Sequence, residues 1–142
     1  YFGLGCRNVA KIYVPENYDF NQLLEVFHER KKLANHTKYK NNFDYNLAFH
    51  ILNRTTYYNN GSIVLLENKS LQSRVSQLHY ESYSSEEALN KEIGEIKEDI
   101  QCIVSNKAID EIAVLPFGST QKPSLWDYAD GVDAMQFLTG LY

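Results

Sequence analysis

The segment most informative about the fold is Asn59-Asn60-Gly61-Ser62-Ile63-Val64-Leu65-Leu66-Glu67. Its first three residues are a strong turn signal, because asparagine and glycine tolerate the backbone angles that tight turns require. The apolar residues that follow are not interrupted by a polar one, so residues 62–67 predict a strand that is buried on both faces. Such strands are typical of parallel sheets that helices cover on both sides.

The chain before this stretch predicts a strand and then a helix. Residues 9–14 are rich in β-branched and aromatic side chains and stop at Pro15, which is typical of a strand. Asp19 and Gln22 then have the spacing of a capping box. Apolar residues at positions i, i+3, i+4 and i+7 follow, so an amphipathic helix is expected to run to about Leu33.

A loop, a second helix and another strand complete the middle of the chain. Residues 35–42 are polar and predict a loop, whereas residues 75–83 alternate in polarity and predict a strand. Residues 43–53 predict a short helix. Its apolar face would carry Phe43, Leu47 and Ile51.

The C-terminal third predicts one more amphipathic helix. Ser84 and Glu87 form a second capping box, and an apolar stripe follows at helical spacing. The stripe consists of Leu89, Ile93, Ile96 and Ile100. Three elements come after it: a buried strand at 100–104, a strand at 111–115 closed by Pro116, and a final helix beyond Ser124 with Gly131 near its start. Strands that alternate with helices indicate an α/β fold with a largely parallel sheet flanked by helices.

Composition sets limits on function. The 142 residues are 44% hydrophobic and 23% charged, which is typical of a globular protein. The net charge is −4 and the 14 basic residues are interpreted as scattered rather than clustered, so nucleic acid is not an expected partner. No apolar run approaches the ~20 residues of a membrane span, and no signal peptide is present, so a cytoplasmic location is expected.

The two cysteines differ in their surroundings. Cys102 lies in an apolar stretch and is expected to be an inert core thiol. A disulfide with Cys6 in a secreted domain is the alternative, supported by four potential glycosylation sites. These sites are at Asn35, Asn53, Asn60 and Asn68. The chain has 13 asparagines, so chance sites are expected, and one bridge is unlike the disulfide-dense small secreted domains.

Other catalytic signatures are absent from the sequence. There is no Gly-x-Gly-x-x-Gly pattern after a strand and no Walker-type loop. No cysteine and histidine cluster has metal-binding spacing, so no metal site is expected. The histidines are far apart and are interpreted as surface or core residues: His28, His36, His50 and His79.

Cys6 lies in a loop that offers a nucleophile. Gly3 and Gly5 precede it, and glycine lets the backbone approach a substrate closely. A backbone N–H beside a thiolate can donate a hydrogen bond to a developing oxyanion, as acyl transfer requires. Arg7 would favour the thiolate, which is the attacking form. These residues alone leave a catalytic thiol and a structural thiol equally open.

Three segments resemble the aldehyde dehydrogenase superfamily. Gly3-Leu4-Gly5-Cys6-Arg7-Asn8-Val9-Ala10-Lys11-Ile12-Tyr13-Val14 resembles its catalytic-cysteine loop and the strand after it. Leu115-Pro116-Phe117-Gly118 and Gly131-Val132-Asp133-Ala134-Met135 resemble two later landmarks, in the same order. Residues 1–9 and 116–133 together resemble more specifically the LuxC-type acyl-CoA reductases. The resemblance is weak between Asn35 and Val75.

The resemblance implies an activity and site residues. LuxC-type enzymes reduce a fatty acyl thioester to an aldehyde with NADPH, so acyl-CoA is the implied substrate. Cys6 would be the nucleophile, and Gly5 and Phe117 would line the substrate pocket. The superfamily's Glu-x-Phe-Gly-Pro motif for the cofactor ribose is not present, and Glu67 is the carboxylate nearest to its place.

The start of the chain bears on its domain organisation. Tyr1 is not an initiator methionine and a glycine-rich loop follows at once, so we expect a fragment of a longer polypeptide. Residues 1–142 would be the C-terminal part of the catalytic domain, with the dinucleotide-binding part outside this chain. Implied partners are other copies of the chain or acyl-transfer enzymes. The alternatives are a glutamyl-phosphate-reductase-like enzyme and a non-catalytic interaction module in which Cys6 is structural.

Overall fold

A four-stranded sheet organises the chain. The computed structural model describes residues 2, 4–5, 7–109, 112–128 and 131–140. The strands are β1 (Lys11–Pro15), β2 (Tyr57–Asn59), β3 (Val64–Glu67) and β4 (Gln77–Tyr83), in the order β1-β4-β3-β2. β4 is parallel to both β1 and β3, and only β2 is antiparallel to its neighbour. The predicted α/β fold with a largely parallel sheet is therefore confirmed.

The central strand β3 is buried on both faces, as its apolar run predicts. Leu65 packs with Leu78 on one face, where α1 (Phe20–His28) supplies Phe20 to the same cluster. Val64 and Leu66 pack on the opposite face against Phe43 of α2 (Thr37–Leu52). Burial of each large apolar side chain contributes about 1.5–3 kcal/mol to folding, so these two layers anchor the helices to the sheet.

Helix α1 is shorter than the sequence predicts. The Asp19 carboxylate accepts the Asn21 N–H at 2.9 Å, which confirms the predicted cap. The helix ends at His28 rather than near Leu33, and a 3-10 turn follows over Lys31–Asn35. The reason is the end of the apolar stripe at Phe27, because the next positions on that face are basic and exposed.

Helix α2 begins earlier than predicted, so the expected loop at 35–42 is wrong. The Tyr39 hydroxyl donates to the Ser62 carbonyl at 2.6 Å and its ring is buried. Lys40 pairs with Asp44 one turn further on, at 2.7 Å. This tertiary contact and the i,i+4 pair stabilise a first turn that composition alone does not indicate. Ile51, expected on the apolar face, is exposed.

A short strand that the sequence did not predict pairs with β3. The predicted turn at 59–61 is confirmed, with Gly61 at φ +85°. The Asn60 side chain accepts the N–H groups of Ser62 and Ile63, which fixes the turn and pairs β2 with β3.

The C-terminal elements are shorter than expected. They are α3 (Glu86–Ile96), β5 (Ile103–Val104), β6 (Val114–Leu115) and α4 (Ala134–Thr139). β5 and β6 form a separate two-stranded parallel sheet. The predicted strand at 111–115 starts at Glu111, which lies outside the described residues. No helix in the described part of the chain has the length and apolar character needed to cross a membrane.

Candidate functional site

The loop before β1 is described on both sides of its cysteine. Cys6 and Gly3 lie outside the described residues, so the predicted nucleophile has no placement here. The Asn8 N–H donates to the Gly5 carbonyl at 2.9 Å. A Cβ atom on Gly5 would lie 2.8 Å from Asn8 Nδ2, so the end of the Asn8 side chain would have to move. Glycine at position 5 therefore lets Asn8 fold back onto the loop.

A long-range hydrogen bond joins this loop to the chain beyond Pro116, which we call the tail. Gln121 Nε2 donates to the Arg7 carbonyl at 3.1 Å, across 114 positions of sequence. Gln121 follows a turn in which the Ser119 N–H donates to the Pro116 carbonyl at 3.3 Å and Gly118 has φ +81°. Phe117 lies within that turn and is 67% exposed. The predicted pocket residue is therefore on the tail segment that reaches the cysteine loop.

Lys11 anchors the strand that leaves this loop. Its ammonium group donates to the Glu81 carboxylate at 2.6 Å and to the Lys69 carbonyl at 2.9 Å. It also lies 4.7 Å from the centre of the Tyr13 ring, a cation–π contact. The Tyr13 hydroxyl donates to Glu92 of α3 at 3.3 Å. These contacts tie the start of β1 to β4, to α3 and to the β3–β4 connection.

The stagger of the strands brings Glu67 close to the start of β1. Lys11 is level with His79 of β4, and Glu67 is level with Tyr80, the next residue along β4. The carboxyl end of β3 therefore lies at the height of the amino end of β1, although β4 separates the two strands. Burial is the main cause that raises the pKa of Tyr80, and the nearby Glu67 carboxylate raises it further.

Glu67 is the residue that could contact a dinucleotide. It is exposed and lines a shallow depression together with Asn68, Lys69 and Glu81. A carboxylate in such a position fits the task of accepting hydrogen bonds from ribose hydroxyls. The described residues contain no glycine-rich turn leading into a helix, which is one common way of binding dinucleotide phosphates.

Cys102 is only half-buried, so its interpretation as a core thiol is too strong. It comes just before β5 and lines a shallow depression. Its neighbours around the depression include Glu98, Ile100 and Ile112. The predicted burial failed because β5 belongs to a two-stranded sheet that nothing covers as fully as the main one.

The structure adds a buried polar row that the sequence analysis missed. His50 Nε2 lies 2.8 Å from Gln77 Nε2, and both residues are buried. Two positions further along β4, the buried His79 donates from Nδ1 to the Ser70 carbonyl at 2.9 Å. The sequence signal for this row was the polar residue at every second position of the strand, at Gln77, His79 and Glu81. It indicated a polar face but not that α2 would cover it.

Electrostatics explains the state of His50. Burial lowers the pKa of His50, and the nearby charges of Arg74 and His79 lower it further. Its Nδ1 atom is buried and has no hydrogen-bond partner within the described part of the chain. Neither here nor elsewhere among the described residues do three metal-ligating side chains come together.

The comparisons with known proteins add nothing to this picture. No protein-family model, curated protein or solved structure matches the chain.

Proposed function

We propose that this chain is the C-terminal part of the catalytic domain of a LuxC-like fatty acyl-CoA reductase. The observation that carries the proposal is the hydrogen bond from Gln121 to the Arg7 carbonyl. It joins the two segments on which the resemblance rests, the cysteine loop and the tail beyond Pro116. Segments that form one active site must meet in space, and these two meet across nearly the whole chain.

Cys6 would carry out the acyl transfer. Its thiolate attacks the carbonyl carbon of the acyl thioester, a bond forms between this carbon and Cys6 Sγ, and the bond to the CoA sulfur breaks. CoA leaves as a thiolate. The Cys6 N–H donates to the oxyanion during the attack, and Gly5 keeps the backbone accessible to the substrate. Phe117, exposed on the adjoining tail segment, would form part of the acyl pocket.

The second half of the reaction returns Cys6 to its starting state. Bound NADPH would supply the hydride that reduces the acyl group. Cys6 Sγ holds the resulting thiohemiacetal until its C–S bond breaks, which releases the aldehyde and the Cys6 thiolate. Glu67 would accept hydrogen bonds from the cofactor ribose, and the phosphates would be held by parts of the protein outside this chain.

The test is covalent labelling of the full-length protein. Incubation with a long-chain acyl-CoA should add one acyl group, seen by intact mass, and hydroxylamine should remove it because it cleaves thioesters. Cys6→Ala should abolish the adduct, whereas Cys102→Ala, which removes the other cysteine of these 142 residues, should retain it. An unreactive Cys6 with every acyl-CoA tried, or labelling that follows Cys102, would refute the proposal.

A non-catalytic interaction module is the second candidate. The tail favours it, because Leu125 is 92% exposed and Trp126 is 79% exposed. Large apolar side chains at such exposure are typical of surfaces that bind other proteins. This function predicts no acyl adduct on Cys6, so the same labelling experiment separates the two.

A further inference from the structure

The basic residues are less scattered than the sequence analysis assumed. Five of the 14 lysines and arginines lie between positions 30 and 40, in a chain of net charge −4. They are Arg30, Lys31, Lys32, Lys38 and Lys40, and all five are exposed. We name Arg30, Lys31, Lys32 and Lys38 the basic surface, because Lys40 is paired with Asp44.

Most of the basic surface has no acidic partner. Lys31 Nζ lies 3.2 Å from the ring of His28, which carries no negative charge. Among the residues that the structure describes, no carboxylate lies within ion-pair distance of Arg30, Lys32 or Lys38. These groups can therefore bind an anion without first breaking an ion pair.

The basic surface adjoins the cysteine loop. Its residues lie on the 3-10 turn and on the first turn of α2, which pack together. The Phe2 ring contacts His36 and Tyr39 of the same region, with ring centroids 4.7 Å and 5.6 Å apart. Cys6 is four positions after Phe2, and four steps along the chain span at most about 14 Å. The nucleophile is therefore within reach of this surface.

We infer that the basic surface binds the phosphate groups of the acyl-CoA nucleotide while the thioester reaches Cys6. This inference rests on the proposed function. The pantetheine arm of CoA holds its pyrophosphate and its ribose phosphate well away from the sulfur, so a separate anion site is needed. Lysine binds phosphate as a point charge and arginine as a two-pronged donor, and the surface offers both.

The experiment compares two acyl donors on the full-length protein. One is a long-chain acyl-CoA and the other carries the same acyl group on pantetheine, which has no phosphate. The variant Lys32→Glu/Lys38→Glu reverses two charges on the basic surface. The control Lys91→Glu/Lys97→Glu reverses two exposed charges on and just after α3, away from the basic surface. Circular dichroism and the urea midpoint confirm that each variant folds.

The expected result is specific to one donor. Lys32→Glu/Lys38→Glu should lower the second-order rate of Cys6 acylation by acyl-CoA by roughly tenfold, a size typical of lost electrostatic attraction. Acylation by acyl-pantetheine should be unchanged, and the control should match the wild type with both donors. Added salt should lower the wild-type rate with acyl-CoA towards that of the variant.

Other outcomes separate the two proposals. Normal acylation of the variant by acyl-CoA would overturn the inference and leave the proposed function standing. An equal loss with both donors would also overturn it, because the surface would then act on acylation without contacting the phosphates of CoA. No adduct on wild-type Cys6 with either donor would refute the proposed function and the inference with it.

Discussion

Lys11 shows how one side chain can set the position of a loop. Its charged end is inside the protein, with 6% of the side chain exposed, and its partner Glu81 is 15% exposed. The ammonium group also donates to the Lys69 carbonyl and lies over the Tyr13 ring, so three groups hold it in place. Because Lys11 is five residues beyond Cys6, these contacts fix the strand that leads out of the cysteine loop.

Replacing Lys11 should be far more costly than replacing an exposed lysine. Lys11→Met leaves the Glu81 carboxylate, which is 15% exposed, without its partner. Removal of one partner from a fully buried pair costs about 3–5 kcal/mol, which is the upper limit for this variant. Lys40→Met removes a pair whose side chains are both 54% exposed. Such surface pairs contribute about 0–1 kcal/mol. The free energy of unfolding in urea measures both.

A third variant tests the cause of the Lys11 effect. Lys11→Met/Glu81→Leu removes both charges, so it should recover part of the stability that Lys11→Met loses. Equal unfolding free energies for Lys11→Met and Lys40→Met would show that the buried pair does not hold β1 in place.

Among the helices, α3 begins one residue later than its sequence pattern predicts. The sequence predicts a capping box at Ser84 and Glu87, but the N-cap is Ser85. Its hydroxyl accepts the Ala88 N–H at 3.2 Å, and its backbone is extended, at φ −150° and ψ 159°. Either of the two adjacent serines can accept a helix N–H with its hydroxyl, so the backbone angles decide which of them caps the helix.

Single alanine substitutions should distinguish the two serines. Ser85→Ala should lower the free energy of unfolding by about 1 kcal/mol, because it removes the acceptor for a helix N–H. Ser84→Ala should change it by less than about 0.5 kcal/mol, as expected for an exposed position without a special role. The reverse order in urea unfolding would place the cap at Ser84.

Helix α2 shows where sequence patterns fail to predict structure. The ends of strands β1, β3 and β4 were predicted to within about two residues. Their signals, alternating polarity or a continuous apolar run, lie within the strands themselves. The first turn of α2 was missed because the Tyr39 hydroxyl bonds to Ser62, 23 residues away. The hydrogen bond from Gln121 to Arg7 escaped for the same reason. The motifs identify candidate site residues. They do not predict the contacts between these residues, because the contacts are non-local.

At the scale of the whole molecule, the two faces of the sheet differ. α1 covers one face with apolar contacts, in the cluster that includes Phe20 and Leu65. α2 covers the other face, where apolar contacts lie beside a buried polar pair between His50 and Gln77. Asn46 of α2 also donates to the Val75 carbonyl at 3.0 Å. The attachment of α2 therefore depends on polar groups, one of which is a histidine, a side chain that can change its charge with pH.

This polar attachment should make the stability of the protein depend on pH through His50. Burial, Arg74 and His79 lower its pKa in the folded protein from the ordinary value of 6.5, so the folded state disfavours its charged form. Below about pH 6.5 the unfolded chain binds a proton at His50 that the folded protein does not. Stability must therefore fall as the pH drops from about 6.5 towards the folded pKa, by up to about 1.4 kcal/mol per pH unit.

His50→Gln isolates this contribution, because glutamine retains a hydrogen-bonding group for Gln77 but does not titrate in this range. Urea unfolding at pH 7.5 and at pH 5.5 should show a smaller loss of stability on acidification for His50→Gln than for the wild type. His28→Gln, which removes an exposed histidine, should lose as much as the wild type. The same loss in all three proteins would mean that other groups set the acid sensitivity. A steeper loss for both the wild type and His28→Gln than for His50→Gln would show that the contact between α2 and β4 requires neutral His50.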